Sequence, residues 1–275
     1  MSALVSVRSR LGQLVAPLAL VLGILVVWEG ACRQFQIPPW LLPAPSQIVV
    51  AVGEAGPLLV PHVRQTLLET WLGLLLALIA GLALAVTIDV SPLLKRAIYP
   101  LLVISQTVPI IAVAPLLVIW LGYGILPKVL VVSLVCFFPI VVSTADGLRT
   151  ADPDLIALVR TMGASRFQIF LKIRVPGALP AFFSGMKIAI TYSVIGAIIG
   201  EWVGASQGLG VFMLRASNSF RTDWVFAAIA IVSLLSIVLF LVVTVAERLA
   251  LPWYYSSARE EQWEELAAGG RAAAR

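Results

Sequence analysis

The sequence predicts an all-α, polytopic membrane protein of about six transmembrane helices, and three observations carry that prediction. Sixty per cent of the 275 residues are hydrophobic and only 12% are charged. Mean hydropathy is +1.02, higher than soluble domains of ordinary composition reach. The apolar residues gather into runs of bilayer-spanning length, and once these are threaded, fourteen of the nineteen cations fall on one side.

Taken in order, the first run is Leu11 to Trp28, behind Arg8 and Arg10. No small-x-small cleavage site follows it. Glu29 stands three residues before Cys32, where a lipoprotein-type signal would want an aliphatic residue. The run is therefore expected to remain as a helix, preceded by a cytoplasmic N-terminus over residues 1–10. The proline-rich "QIPPWLLPAPSQIVV" that follows reads as an extended segment leading into a short interfacial helix, with Trp40 at the membrane edge.

The second run is Thr66 to Ile88, the third Ile98 to Trp120, the fourth Leu126 to Ala145, the fifth Phe182 to Gly200 and the sixth Trp224 to Ala246. Pro109 and Pro115 interrupt the third; Lys128 and Pro139 flank or enter the fourth. Proline at membrane depth is tolerated where neighbours or water satisfy the freed backbone groups, so these breaks are expected to line a path through protein. The transmembrane domain thus covers residues 11–250, with a loop over 149–180, and a tail over 251–275 ends in "REEQWEELAAGGRAAAR", a short helix that frays.

Several chemistries are excluded. Cys32 and Cys136 form no CxxC pair and His62 is the one histidine, so no metal site is expected. No GxxxxGK[ST] is present, so the chain holds no nucleotide by a P-loop, and "GASQGLG", Gly204 to Gly210, reads as a tight turn on the outer side. The positive-inside bias explains a pI near 9.6 without any nucleic acid. A membrane-embedded enzyme would want paired carboxylates or His/Asp/Glu clusters at membrane depth. A secondary transporter, the alternative from another class, would show intramembrane ionisable residues and an inverted repeat. Neither pattern is seen, and no catalytic residue is assigned.

The stretch "RTMGASRFQIFLKIRVPGALP", Arg160 to Pro180, breaks the oil with cations. Before it, Asp152 is placed as N-cap, Pro153 at the first helical position and Gly163 as terminator of a helix about ten residues long. Leu155, Leu158, Val159 and Met162 share one face of that helix. Ser165 and Gln168 have capping-box spacing for a second helix, whose anchors are Phe167, Phe170, Leu171 and Ile173. Arg166, Lys172 and Arg174 are left in water, and Pro176 ends that helix. The segment is either a basic amphipathic loop on anionic headgroups or an element presenting an apolar face to a soluble partner. The glycine elbow between two capped helices favours the second.

A solute path needs polar groups at membrane depth. Candidates are Ser105, Gln106 and Thr107 before Pro109, Tyr192 and Ser193 in the fifth run, and Glu201 at its outer end. Gln106 serves equally as a helix-helix hydrogen-bonding group, and Glu201 is either interfacial or path-lining. Trp120 and Tyr123 are placed either to stack on a ring or to sit in an aromatic belt.

Gly163, followed by nine residues, Ile173, one residue and Val175-Pro176, resembles the cytoplasmic loop of the integral-membrane permease subunits of bacterial ABC importers. Ala157, Leu158 and Val159 replace that loop's Glu-Ala-Ala, and Val175 replaces its leucine. The likeness runs from about Leu41 to Pro252. "QTVPIIAVAPLLVIWLGYG" and "GEWVGASQGLGVFM" resemble the subgroup importing nitrate, taurine, alkanesulfonates and thiamine-precursor pyrimidines, and "CFFPIVVSTADGLR" is closest to the permeases for pyrimidines and related heteroaromatic vitamins. The resemblance implies a type I importer permease fold and a multi-pass protein of the bacterial cytoplasmic membrane with both termini cytoplasmic. It implies as partners a second permease copy in a homodimer, a pair of cytoplasmic ATPase subunits that bind the ATP, and an extracytoplasmic substrate-binding protein. The permease itself would be no enzyme and carry no cofactor. Contact with the ATPase falls to Arg160, Met162, Gly163, Ala164, Ser165 and Arg166.

Overall fold

Backbone polar groups in hydrocarbon must be satisfied within the chain, so runs this apolar fold as helices. The computed structural model describes residues 2–254, with side chains from Val15 onward except Pro92. The predicted tail helix lies in residues 255–275, outside the described residues. Among the described residues every regular element is helical: α1 Ser2–Gln34, α2 Pro45–Val90, α3 Pro92–Ser105, α4 Ile110–Leu121, α5 Leu126–Gly147, α6 Pro153–Thr161, α7 Arg166–Ile169, α8 Val175–Trp202, α9 Leu209–Asn218 and α10 Thr222–Ala250. Five helical stretches are long and apolar enough to cross a membrane, and the α3–α4 pair makes a sixth if its halves form one span.

Three elements differ from the sequence-based expectation. The expected interfacial helix after Trp40 is not separate, because α2 runs unbroken from Pro45 to Val90. Pro57 and Pro61 are one turn apart on the same face, and that face borders a groove lined by both prolines and His62. The third span is sharply broken, α3 and α4 meeting at 97° around Gln106 to Pro109. Pro176 does not end a helix: a π-helical turn, Phe170–Arg174, leads from α7 into α8, and Pro176 follows it as the second residue of α8.

The core is a three-helix layer with α5 lying between α2 and α8, while α10 packs on α8, α2 and α9. Leu74, Val132, Cys136, Ile140, Ile190 and Val194 fill it. Lipid tails are as apolar as leucine, so close backbone approach replaces the hydrophobic effect as the source of cohesion. On α2, Gly73, Ala77, Gly81 and Ala85 make a buried small-residue row. Gly185 opens the matching row on α8, where a Cβ would lie 2.5 Å from the Pro139 carbonyl oxygen and 2.6 Å from Ser143 Cβ. α1 is peripheral: its apolar residues from Val15 to Val27 are exposed, and it packs on α2. Its Glu29 carboxylate accepts hydrogen bonds from the Ser46 N–H at 3.0 Å and the Ser46 hydroxyl at 2.8 Å, and so supplies the first turn of α2 with an acceptor.

Candidate functional site

The loop between α5 and α8 forms the helix-elbow-helix that its caps predict. The Asp152 carboxylate accepts from the Asp154 N–H at 2.8 Å, and Pro153 starts α6. At the other end Ala164 N–H reaches back to the Val159 carbonyl and Gly163 N–H to the Arg160 carbonyl, with Gly163 at φ +90, a Schellman closure that favours glycine. The Ser165 hydroxyl and Gln168 side chain then cap each other's backbone at 3.2 and 2.8 Å.

No residue of α6 is buried, and Leu155, Leu158 and Met162 present an apolar row to the outside, Met162 at 78% exposure. Beside the elbow lies an open groove lined by Val159, Met162, Gly163, Ala164, Ile169 and Lys172. Arg160, Met162, Gly163, Ser165 and Arg166 are all exposed and Ala164 is half-buried, so the six coupling candidates form one accessible patch. The expected anchors shift, however. Ile169 is buried and Phe170 and Ile173 are half-buried, whereas Phe167 and Leu171 are exposed. Arg174 is not left in water either: its guanidinium pairs with Asp89 of α2 at 2.9 Å.

The path candidates divide. Ser105, Gln106 and Thr107 sit exposed at the α3–α4 break, the two hydroxyls donating to carbonyls one turn back. Tyr192 is exposed on α8. Trp120 and Tyr123 are exposed too, Tyr123 with its ring against Gly204. Ser193 and Glu201, by contrast, offer no surface. Ser193 is fully buried in the α8 small-residue row and donates to the Ile190 carbonyl. Glu201, 1% exposed, has both carboxylate oxygens occupied inside the protomer.

Those oxygens organise a buried knot between the C-terminal end of α8 and the middle of α2. Glu201 Oε1 accepts the Thr66 hydroxyl at 2.6 Å and Oε2 accepts the Gly210 N–H at 2.5 Å. Thr66 Oγ1 in turn accepts the Leu209 N–H at 2.9 Å, and His62 Nδ1 accepts the Gly208 N–H at 2.9 Å. The turn from Gly208 to Gly210 is thus held by three backbone donors, and Gly208, at φ +132, leaves no space for a Cβ against the Glu201 carboxyl. Glu69, fully buried, accepts from Gln65 at 2.8 Å and lies 3.8 Å from the Lys128 ammonium of α5. Sequence reasoning missed His62, Thr66, Glu69 and Lys128 here. The signal available was Glu69 inside an apolar run, since a carboxylate at that depth requires partners.

Comparison with known proteins fits this architecture. The family model described as "binding-protein-dependent transport system inner membrane component" matches residues 73–252. The formylaminopyrimidine transport permease protein ThiX of Halalkalibacterium halodurans is 42% identical over 88% of this chain and 96% of its own length. The riboflavin transport system permease protein RibX of Chloroflexus aurantiacus is 34% identical over 86% and 89%. The taurine transport system permease protein TauC of Escherichia coli is 29% identical over 84% of this chain and 86% of its own length. Among solved structures, a chain of the MetNI methionine ABC transporter in an inward-facing conformation superposes with a TM-score of 0.64 at 21% identity, covering 72% of this chain and 98% of that one, which establishes the same fold.

Proposed function

The chain belongs to the family of inner-membrane components of binding-protein-dependent transport systems, and from that premise we propose that two copies of it enclose the path of an ATP-driven importer for a thiamine-precursor pyrimidine or a similar heteroaromatic vitamin. The chain is a transport component and not an enzyme. In the proposed assembly the work is mechanical. ATP hydrolysis belongs to a pair of cytoplasmic ATPase subunits, and an outer binding protein delivers the solute. Each of these partners shifts the balance between inward- and outward-open states only by binding one of them better.

The exposed patch from Arg160 to Arg166 is the proposed ATPase contact, on the cytoplasmic side together with both termini. It combines what such a contact needs: an apolar row for a partner's groove, a rigid elbow and flanking cations. The proposed path is lined by Ser105, Gln106, Thr107 and Tyr192, the four candidates that keep open surface.

The substrate class rests on one observation: the relatives at 42% and 34% identity are named for a pyrimidine and for riboflavin, both flat nitrogen heteroaromatics, whereas the taurine relative stands at 29%. Uptake into proteoliposomes holding the permease, its ATPase and its binding protein tests it. Labelled formylaminopyrimidine or riboflavin should accumulate only with ATP inside the cytoplasmic compartment of the assay, and taurine should not. ATP-dependent uptake of taurine or an alkanesulfonate in place of the heteroaromatics would assign the other substrate class. Uptake without ATPase or ATP would overturn the importer reading itself.

A further inference from the structure

α6 has no buried residue and makes only slight contact with α7, so motion imposed at the elbow reaches the membrane domain through the stretch that follows it. That stretch is continuous helix from Arg166 to Trp202, which makes α8 the direct recipient. A second connection leaves it sideways. Arg174, the last residue of the π turn, pairs through Nη1 with Asp89 Oδ2 at 2.9 Å, and Asp89 is one residue from the end of α2 with its side chain 5% exposed. Asp89, Arg174, Arg149 and Ile156 also line one pocket, which places the pair directly behind α6.

At the far end the same two helices are joined again, by the Thr66 hydroxyl on Glu201 at 2.6 Å. At 1.5 Å per residue, Thr66 and Asp89 lie about 35 Å apart along α2, and Arg174 and Glu201 about 40 Å apart along α8, both more than the roughly 30 Å hydrocarbon layer. α2 and α8 are therefore pinned to each other on both sides of the membrane, with α5 packed between them. Two rods fixed at one end only can shear, whereas rods fixed at both ends and packed through a shared helix move together.

We infer that Asp89 and Arg174 form a coupling strut that delivers motion of the 153–174 loop to α2 as well as to α8, so that the α2–α5–α8 layer and the outer turn at Gly208 to Gly210 move as one body. Both are positioning residues, acting through the helices they join. The inference rests on the proposed docking of that loop on an ATPase.

The test uses the whole complex in proteoliposomes and reads three quantities: co-purification of the ATPase, ATP hydrolysis stimulated by loaded binding protein, and solute moved per ATP. The variants are Asp89→Asn/Arg174→Gln, which leaves no lone buried charge, together with Arg174→Gln and Arg174→Lys singly. The double variant should retain the ATPase and hydrolyse ATP but move at least about fivefold less solute per ATP, the low end of ordinary coupling between sites. Arg174→Lys, which keeps the cation, should retain more of that ratio than Arg174→Gln. Wild-type solute per ATP in the double variant overturns the strut, as does equal behaviour of Arg174→Lys and Arg174→Gln should the double variant not fold. Loss of the ATPase from the double variant would reduce the pair to shaping the loop, and also overturns it. Failure of the wild-type chain to hold any ATPase refutes the docking reading separately.

Discussion

Thr66→Val is the sharpest perturbation of the buried knot around Glu201, because valine keeps the shape and removes only the hydroxyl. In the native protein that hydroxyl donates to Glu201 Oε1 at 2.6 Å and accepts the Leu209 N–H at 2.9 Å, with Thr66, Glu201 and Leu209 each 1% exposed or less. The variant leaves one acceptor and one donor buried without partners, at about 1–3 kcal/mol each, so the knot should weaken by roughly 2–6 kcal/mol. Since 1.4 kcal/mol is a factor of ten, even the lower figure raises the local opening of the turn about thirtyfold. Hydrogen exchange followed by mass spectrometry on peptides covering residues 203–212 measures it directly. Thr66→Ser, which keeps both hydrogen bonds, is the control. Exchange in Thr66→Val within about twofold of Thr66→Ser would refute the reasoning, because the hydroxyl would then carry no part of the turn's protection.

Three other outcomes are expected. Gly163→Val meets no atom within 4 Å of its Cβ, so its whole cost is the strain of φ +90 on a β-branched residue; uptake should collapse at unchanged membrane abundance, while Gly163→Asn, which tolerates that region, should retain much more. Gly185→Leu drives a side chain into the Pro139 carbonyl and Ser143 and should part α5 from α8, lowering the yield of folded protein on size-exclusion chromatography, with even Gly185→Ala costing about 1–3 kcal/mol of thermal stability. Lys187→Met strands Glu247, whose side chain is 5% exposed and pairs with Lys187 at 2.5 Å; it should destabilise by about 3 kcal/mol, the low end for a buried pair because Lys187 is part-exposed, and adding Glu247→Gln should recover most of the loss in a thermal melt.

What could be read from the sequence was what is local. The Asp152 cap, the Gly163 elbow and the Ser165–Gln168 box each depend on residues within a few positions, and each stands where its spacing places it. Span existence was equally legible, because it depends on apolar composition over a window of about 20 residues. Continuity was harder. Nothing local says that Pro57 and Pro61 leave α2 intact while Gln106 to Pro109 turns the chain by 97°, since the decision lies with what packs against each freed carbonyl. The knot was out of reach for another reason: Thr66 and Glu201 are 135 positions apart, and Asp89 and Arg174 are 85. Their pairing is a product of topology. Residue type alone made Ser193 and Glu201 look like path residues, and only the fold shows that both are spent inside the protomer.

That same spending bears on where the energy for transport enters. A transporter driven by an ion gradient keeps ionisable side chains facing its substrate cavity, free to bind and release the coupling ion. Here the ionisable groups at membrane depth are engaged in joining helices: Glu69 and Lys128 tie α2 to α5, Glu201 ties α8 to α2 and to the turn before α9, and Lys187 and Glu247 tie α8 to α10. Of these five groups all but Lys187 are at most 6% exposed, so none of the three carboxyls opens on a cavity in this conformation. The path candidates that keep open surface, Ser105, Gln106, Thr107 and Tyr192, are hydroxyls and an amide, which can hydrogen-bond a neutral solute and carry no charge at neutral pH. Side chains so disposed join the helices of the membrane domain to one another and leave the proposed path lining uncharged. In the proposed assembly the driving force then arrives from outside the membrane, and the exposed elbow at Gly163, with the Asp89–Arg174 pair behind it, is the proposed place of its entry.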